Sequence, residues 1–260
     1  MRILIALTYY RPHYSGLTIY TERLARALVD LGHQVTVLTS QFEKELPREE
    51  IVDGVKVIRL PVALHISKGV IMPSMPFVAW REIRKADIVN IHLPQLDAAP
   101  IALNARILGK PVLLTYHCDL LLPSGFINRL ANIASDVANH IASSSAAKIV
   151  TNTMDYAYNS GFLGRYIDKV QEIPPPATLV PASKAAIDAF RVKHSINPDD
   201  KVIGMVGRLA SEKGAEYLAR ALPIIQEKYP NARVVHVGQY EGVMGEEAYA
   251  QKLASLLKDL

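Results

Sequence analysis

Arg208 and Lys213 share one short loop in Gly204-Met205-Val206-Gly207-Arg208-Leu209-Ala210-Ser211-Glu212-Lys213-Gly214, between an apolar run and a helical pattern opening at Gly214. An arginine that can grip in a two-pronged way and a lysine acting as a point charge, beside a helix N-terminus, suit a diphosphate. The blander alternative is an exposed loop with a Glu212–Lys213 surface pair. The order strand, loop, helix favours anion binding.

A second loop, Tyr9-Tyr10-Arg11-Pro12-His13-Tyr14-Ser15-Gly16, follows the first apolar run and leads directly into a helix. Ligands of such folds sit at the carboxyl ends of strands, and Gly16 would let backbone approach a phosphate closely. Alone, this loop reads equally well as a plain connection. The third is Thr115-Tyr116-His117-Cys118-Asp119, which puts a substrate-orienting His117 at another strand end. A solitary histidine is more often structural, and Asp119 reads as readily as a surface carboxylate. Cys118 has no third group to orient it as a nucleophile, and neighbours on a strand face opposite ways. His92, Asp97 and His117 match no standard ligand spacing, so no metal site is expected.

The elements that must hold these loops are legible from periodicity. Apolar runs at Ile3–Thr8, Val35–Thr39, Ile88–Leu93, Val112–Tyr116 and Ile149–Val150 read as buried parallel strands. The first helix carries Tyr20, Leu24, Leu28 and Leu31 on one face and stops at Gly32. Asp53–Gly54, between Ile51–Val52 and Val55–Ile58, predicts a hairpin near a sheet edge. After Pro174-Pro175-Pro176 the pattern restarts with a helix, strands at Val202–Val206 and Arg233–Val237, a long helix from about Gly214 and a last helix. The chain is therefore expected to be α/β and doubly wound, with a first domain over 1–172 and an incomplete second over 173–260. Half the residues are hydrophobic, the net charge is +4, and Lys and Arg are scattered. That excludes the clustered basic stripes of nucleic-acid binding. The lone Cys118 fits a cytoplasmic location. Ile71–Trp80 ahead of Arg81, Arg84 and Lys85, and Leu120–Leu122 ahead of Phe126, Arg129 and Leu130, suggest either core packing or peripheral membrane contact, and core packing is preferred.

Taken together, Arg2-Ile3-Leu4, the loop ending in Gly16, Leu24–Leu28, Gly32–Thr39, Asp53-Gly54-Val55, Tyr116-His117, and Gly207-Arg208-Leu209 through Lys213-Gly214 resemble a known family. It is the retaining glycosyltransferases of the family 4 (group 1) type with the GT-B fold, two Rossmann-type domains. The resemblance implies sugar transfer from a nucleoside-diphosphate sugar to a sugar, lipid or small-molecule acceptor, with retention of configuration and no metal or other cofactor. It implies that Ser15 and Gly16 meet the donor phosphate and that His117 faces the transferring sugar. Arg208 and Lys213 would hold the diphosphate and stabilise the charge developing on the leaving nucleotide.

The family usually has two glycines where this chain has Ser15-Gly16, and its second domain runs further, through a Glu-x7-Glu motif that Glu241, Glu246 and Glu247 do not supply. The chain is thus expected to be part of a longer enzyme. The alternative is a non-catalytic module that binds acceptor or nucleotide. The absence of a G-x-G-x-x-G fingerprint argues against a dehydrogenase or epimerase.

Overall fold

The computed structural model describes residues 1–66, 69–120, 126–177, 180–243 and 246–259. They fall into two units, 1–178 and 179–260. The first runs β1 (Arg2–Ala6), α1 (Gly16–Asp30), β2 (Gln34–Gln41), β3 (Glu49–Val52), β4 (Val55–Pro61), β5 (Leu64–Ile66), β6 (Gly69–Ile71) and α2 (Met75–Lys85). It continues with β7 (Ile88–Leu93), α3 (Ala98–Ile107), β8 (Val112–Tyr116), α4 (Phe126–Ser145), β9 (Lys148–Thr151), α5 (Met154–Asn159), a 3-10 stretch (Leu163–Lys169) and β10 (Val170–Glu172).

Eight of these strands form one sheet in the order β10-β9-β8-β7-β1-β2-β4-β3. Every pairing is parallel except β3 with β4, the hairpin whose turn residues Asp53 and Gly54 have φ of 50° and 78°. Both turn residues are left-handed, as a two-residue turn matched to strand twist requires. Alternation along β1 sends Ile3 and Ile5 into a core with Val35, Val37 and Val57 beneath α1. Leu4 and Ala6 point the other way, into the larger core with Ile91, Leu114 and the buried faces of α2 and α3. Leu31 departs from the expected helix face and is 73% exposed. The helix ends at Asp30, and Leu31 is its C-cap, beyond the last turn that packs on the sheet.

The chain winds outward from β1 through β2 to β4, then returns to β7 on the other side of β1 and winds through β8 to β10. The strand order therefore reverses between β1 and β7, and the loops at their carboxyl ends part there to leave a crevice.

The second unit has α6 (Lys184–Lys193), β11 (Lys201–Val206), a 3-10 turn (Ser211–Lys213), α7 (Ala215–Lys228), β12 (Ala232–Val237) and α8 (Glu247–Asp259). β11 and β12 pair in parallel from Lys201↔Ala232 to Val206↔Val237. Ala215 and Ala219 of α7 pack on Tyr249 and Leu253 of α8. Among the described residues no helix is long and apolar enough to cross a membrane.

Candidate active site

Of the five residues singled out from sequence, Ser15, Gly16 and His117 lie in the first unit, and Arg208 and Lys213 in the second. Ser15 is the N-cap of α1, in an extended conformation (φ −153°) that any residue adopts, so the missing second glycine causes no backbone strain. Its Oγ accepts from Thr18 N at 3.2 Å. Gly16 opens the helix, and a β-carbon there would meet nothing within 4 Å. Its lack of a side chain thus serves no internal packing and leaves the backbone accessible. The Gly16 and Leu17 N–H groups have no hydrogen-bond partner among the described residues. Two open donors stand at the positive end of a 15-residue helix, beside the β1/β7 crevice, an arrangement that could receive an anion.

Arg59 holds the loop before α1, and no local sequence signal announced it. This side chain of β4 is 2% exposed and donates to the Arg11 carbonyl at 2.7 Å and the Pro47 carbonyl at 3.1 Å, with Glu50 pairing its charge. Arg11 in turn pairs with Glu22 and lies over the Tyr14 ring.

His117 follows the end of β8. Its Nε2 lies 2.9 Å from Nδ1 of His92, a buried residue of β7, and that same Nδ1 lies 3.1 Å from Thr21 Oγ1 on α1. The ring of Tyr20, also on α1, meets His117 edge-on at 5.0 Å between centroids. Burial lowers His117 from 6.5 to about 4. His92 is held well below its ordinary value, by burial first and by His117 second. The pair is neutral near pH 7. Asp119 serves structure: its Oδ1 accepts from Tyr116 Oη and Ser160 Oγ, and its backbone N–H donates to Tyr156 Oη. Cys118 is exposed. No group of three or more metal-ligating side chains occurs among the described residues.

Between Ser15 and Cys118 opens a mostly apolar cavity of about 330 Å³, with Tyr9, Leu17, Gln95 and Ala131 in its walls. Gln95 is 5% exposed, and neither its amide oxygen nor its nitrogen has a partner among the described residues. Asp97, two residues on, stands at the N-cap of α3 without capping it, and burial raises its carboxyl to about 6. A cavity of similar size at the opposite, amino ends of β1, β2 and β4 is lined by Arg2, Gln34 and Lys56. Ligands of open α/β sheets bind at the carboxyl ends, so the first cavity is the relevant one.

In the second unit, Arg208 donates to Glu212 at 2.6 Å, so Glu212 pairs with Arg208 rather than with Lys213. Lys213 is exposed and makes no ion pair among the described residues. Gly214 turns the chain into α7 with φ 65°. Glu246 accepts from Ser211 N at 2.9 Å and so steadies the turn that carries Lys213. Periodicity gives no hint of it, because its partner lies in a separate loop.

Residues 15–176 match the Glycosyl transferase 4-like domain family, and residues 186–259 match Glycosyl transferases group 1. The chain is 28% identical over 237 residues to the GDP-mannose-dependent alpha-mannosyltransferase of Corynebacterium glutamicum, covering 84% of this chain and 54% of that protein. It is 29% identical over 227 residues to 2-deoxystreptamine glucosyltransferase of Streptomyces kanamyceticus, covering 77% of this chain and 57% of the relative. The chain thus spans little more than half the length of these relatives. Its fold is similar to that of Anabaena HepE, solved with UDP-glucose, with a TM-score of 0.67 and 18% identity over 100% of this chain and 66% of that one. The architecture is of the GT-B type.

Proposed function

The chain belongs to the Glycosyl transferase 4-like family, and on that premise we propose that it transfers a sugar from a nucleoside-diphosphate sugar to an acceptor with retention of configuration, as part of a longer protein. The observation that carries this reading is the pair of open N–H groups at Gly16 and Leu17, which open the helix whose Tyr20 and Thr21 meet His117 and His92. In this reading these donors meet the donor phosphates. Arg208 and Lys213 add positive charge to the leaving diphosphate, where a preformed cation lowers the barrier without a metal. His117, neutral, offers a hydrogen bond to a sugar hydroxyl. The apolar cavity between Ser15 and Cys118 takes the acceptor, which suits an acceptor with an apolar portion.

Calorimetry of the chain against UDP, GDP and ADP tests the donor half, with Arg208→Ala as control. UDP comes first because HepE was solved with UDP-glucose. Binding that Arg208→Ala weakens at least tenfold supports the reading, whereas equal binding by both proteins removes Arg208 from the site. The competing reading, a module that binds without transfer, draws support from one observation: Glu212 already occupies Arg208.

A peripheral membrane contact belongs to the same reading. Met75, Ala79 and Ile83 of α2 are buried in the core, as the preferred alternative expects, yet Phe77 is 79% exposed near Arg81 and Arg84. On α4, Leu130 is exposed, while Leu121–Leu122 lie outside the described residues. Co-flotation with anionic vesicles that Phe77→Ala reduces is the expected result. No flotation of the intact chain ends the idea.

A further inference from the structure

We propose that His92 is a positioning residue which, anchored by Thr21, fixes His117 as the neutral tautomer with its proton on Nδ1. The assignment follows from counting protons along a three-residue chain. Thr21 has a single hydroxyl hydrogen, and its Oγ1 donates to the Leu17 carbonyl at 2.9 Å, the bond of a threonine to the preceding helical turn. The same oxygen faces His92 Nδ1 at 3.1 Å, so with its hydrogen committed it can only accept there. His92 Nδ1 therefore carries a proton. That proton is shared with His117 Nε2, at the shorter distance of 2.9 Å, and His117 Nε2 must be the lone-pair side of its ring. A neutral imidazole has one N–H, and in His117 it falls on Nδ1.

A second, independent observation gives the same answer. His92 Nε2 is buried and has no partner among the described residues. If the His92 proton sat there, the structure would hold a buried, unanswered N–H, which proteins rarely tolerate. With the proton on Nδ1, the orphan is an acceptor lone pair, which costs less. The reverse tautomer would also turn two lone pairs toward each other between Thr21 and His92, or take the hydroxyl hydrogen from Leu17.

Sheet register and ring packing place the pair. β7 and β8 are in parallel register with His92 opposite Thr115, so His117, two residues beyond Thr115, projects from the same face of the sheet. Tyr20 closes the side facing α1, edge-on to both imidazoles. Protonating His117 at Nε2 would set one N–H against another, so the contact also opposes the charged ring. What remains for a ligand is the Nδ1–H of His117, which has no partner among the described residues. Its use on a donor sugar rests on the function proposed above; the tautomer itself does not.

Nitrogen-15 NMR of the histidine rings, in the intact chain at pH 7, decides the tautomer. His117 is assigned from the signal missing in His117→Gln. The expected spectrum shows His117 neutral with Nε2 unprotonated, and a His117 bearing its proton on Nε2 overturns the proposal. In His92→Phe, which keeps a flat ring in the buried site but removes the donor to Nε2, His117 should lose its fixed tautomer and show a mixture of the Nδ1–H and Nε2–H forms. In His92→Asn, whose amide nitrogen can reach the place of Nδ1, it should stay as in the wild type. An unchanged tautomer in His92→Phe also refutes the role of His92, and the wild-type spectrum decides even if neither variant folds. A second readout separates positioning from general damage. His92→Phe should weaken a nucleoside-diphosphate sugar about fivefold, the worth of one neutral hydrogen bond, and leave the nucleoside diphosphate alone unaffected. If the spectra are as expected but His117→Gln binds the sugar nucleotide as well as the wild type, the tautomer stands and the proposed role of His117 in donor binding fails.

Discussion

Gly238 lies so close to Gly207 that a β-carbon on it would stand 2.0 Å from the Gly207 carbonyl oxygen. The two glycines directly follow the paired strands β12 and β11, and Gly207 leads directly into Arg208. Gly238 also has φ of 153°, which side-chain-bearing residues rarely adopt. Gly238→Ala should therefore destabilise the second unit by about 2–4 kcal/mol, through overlap and backbone strain together. Gly204→Ala, whose new methyl meets open space, is the control. Urea unfolding that treats both variants alike would show that the contact is not tight.

The Arg208–Glu212 pair makes a prediction of opposite sign. Both side chains are about half exposed, so the pair contributes little stability. On the proposed function, in which Arg208 holds a diphosphate, Glu212→Gln removes the carboxylate that now pairs with it. Nucleoside-diphosphate affinity should rise about twofold to fivefold, the weight of an exposed ion pair. The gain should shrink as salt is raised. Unchanged or weaker binding at low salt would mean that Glu212 orients Arg208 instead of blocking it.

His117 sets a pH window for stability. Its folded value of about 4 lies below the ordinary 6.5, so between them the unfolded chain binds more protons. The contribution is full above about pH 6.5, falls through the window, and is gone below about pH 4. It amounts to about 2–3 kcal/mol, and His92 adds in the same direction. Denaturant titrations from pH 7 to pH 4 should show His117→Gln losing less stability than the wild type. Parallel curves would contradict the neutral burial of the ring.

Asp97 acts in the reverse sense. Its carboxyl is raised from 3.8 to about 6, so the folded state favours the protonated acid and stability falls as pH rises through that range. Asp97→Asn should be more stable than the wild type by about 2–3 kcal/mol at pH 7.5, with the difference vanishing near pH 3.5. A destabilised variant at pH 7.5 would indicate that the ionised carboxylate has a partner.

Most of the strands were legible in the sequence because each is encoded in a contiguous apolar run, whereas the short β5, β6 and β10 carry no such run and were not foreseen. Ile88–Leu93 and Val112–Tyr116 form strands over the bounds their apolar runs suggest, and Asp53-Gly54 makes the edge hairpin its turn chemistry requires. The strand–loop–helix settings of Ser15-Gly16 and Arg208–Lys213 were legible for the same reason: strand end, polar loop and helix start lie side by side in the chain. Tertiary structure alone decided the rest. His117 reads from sequence as a lone substrate-orienting candidate and His92 only as part of a set without metal-ligand spacing, and only the β7–β8 register puts their nitrogens 2.9 Å apart. Arg59 reads as a charged residue in a strand until the fold buries it against the Arg11 carbonyl. Glu212 reads as the partner of its neighbour Lys213, yet the turn at Ser211–Lys213 carries it back to Arg208. Periodicity specifies which face of an element is buried. Which polar groups then meet depends on register and on loop closure between distant segments, and these are set when the whole sheet assembles.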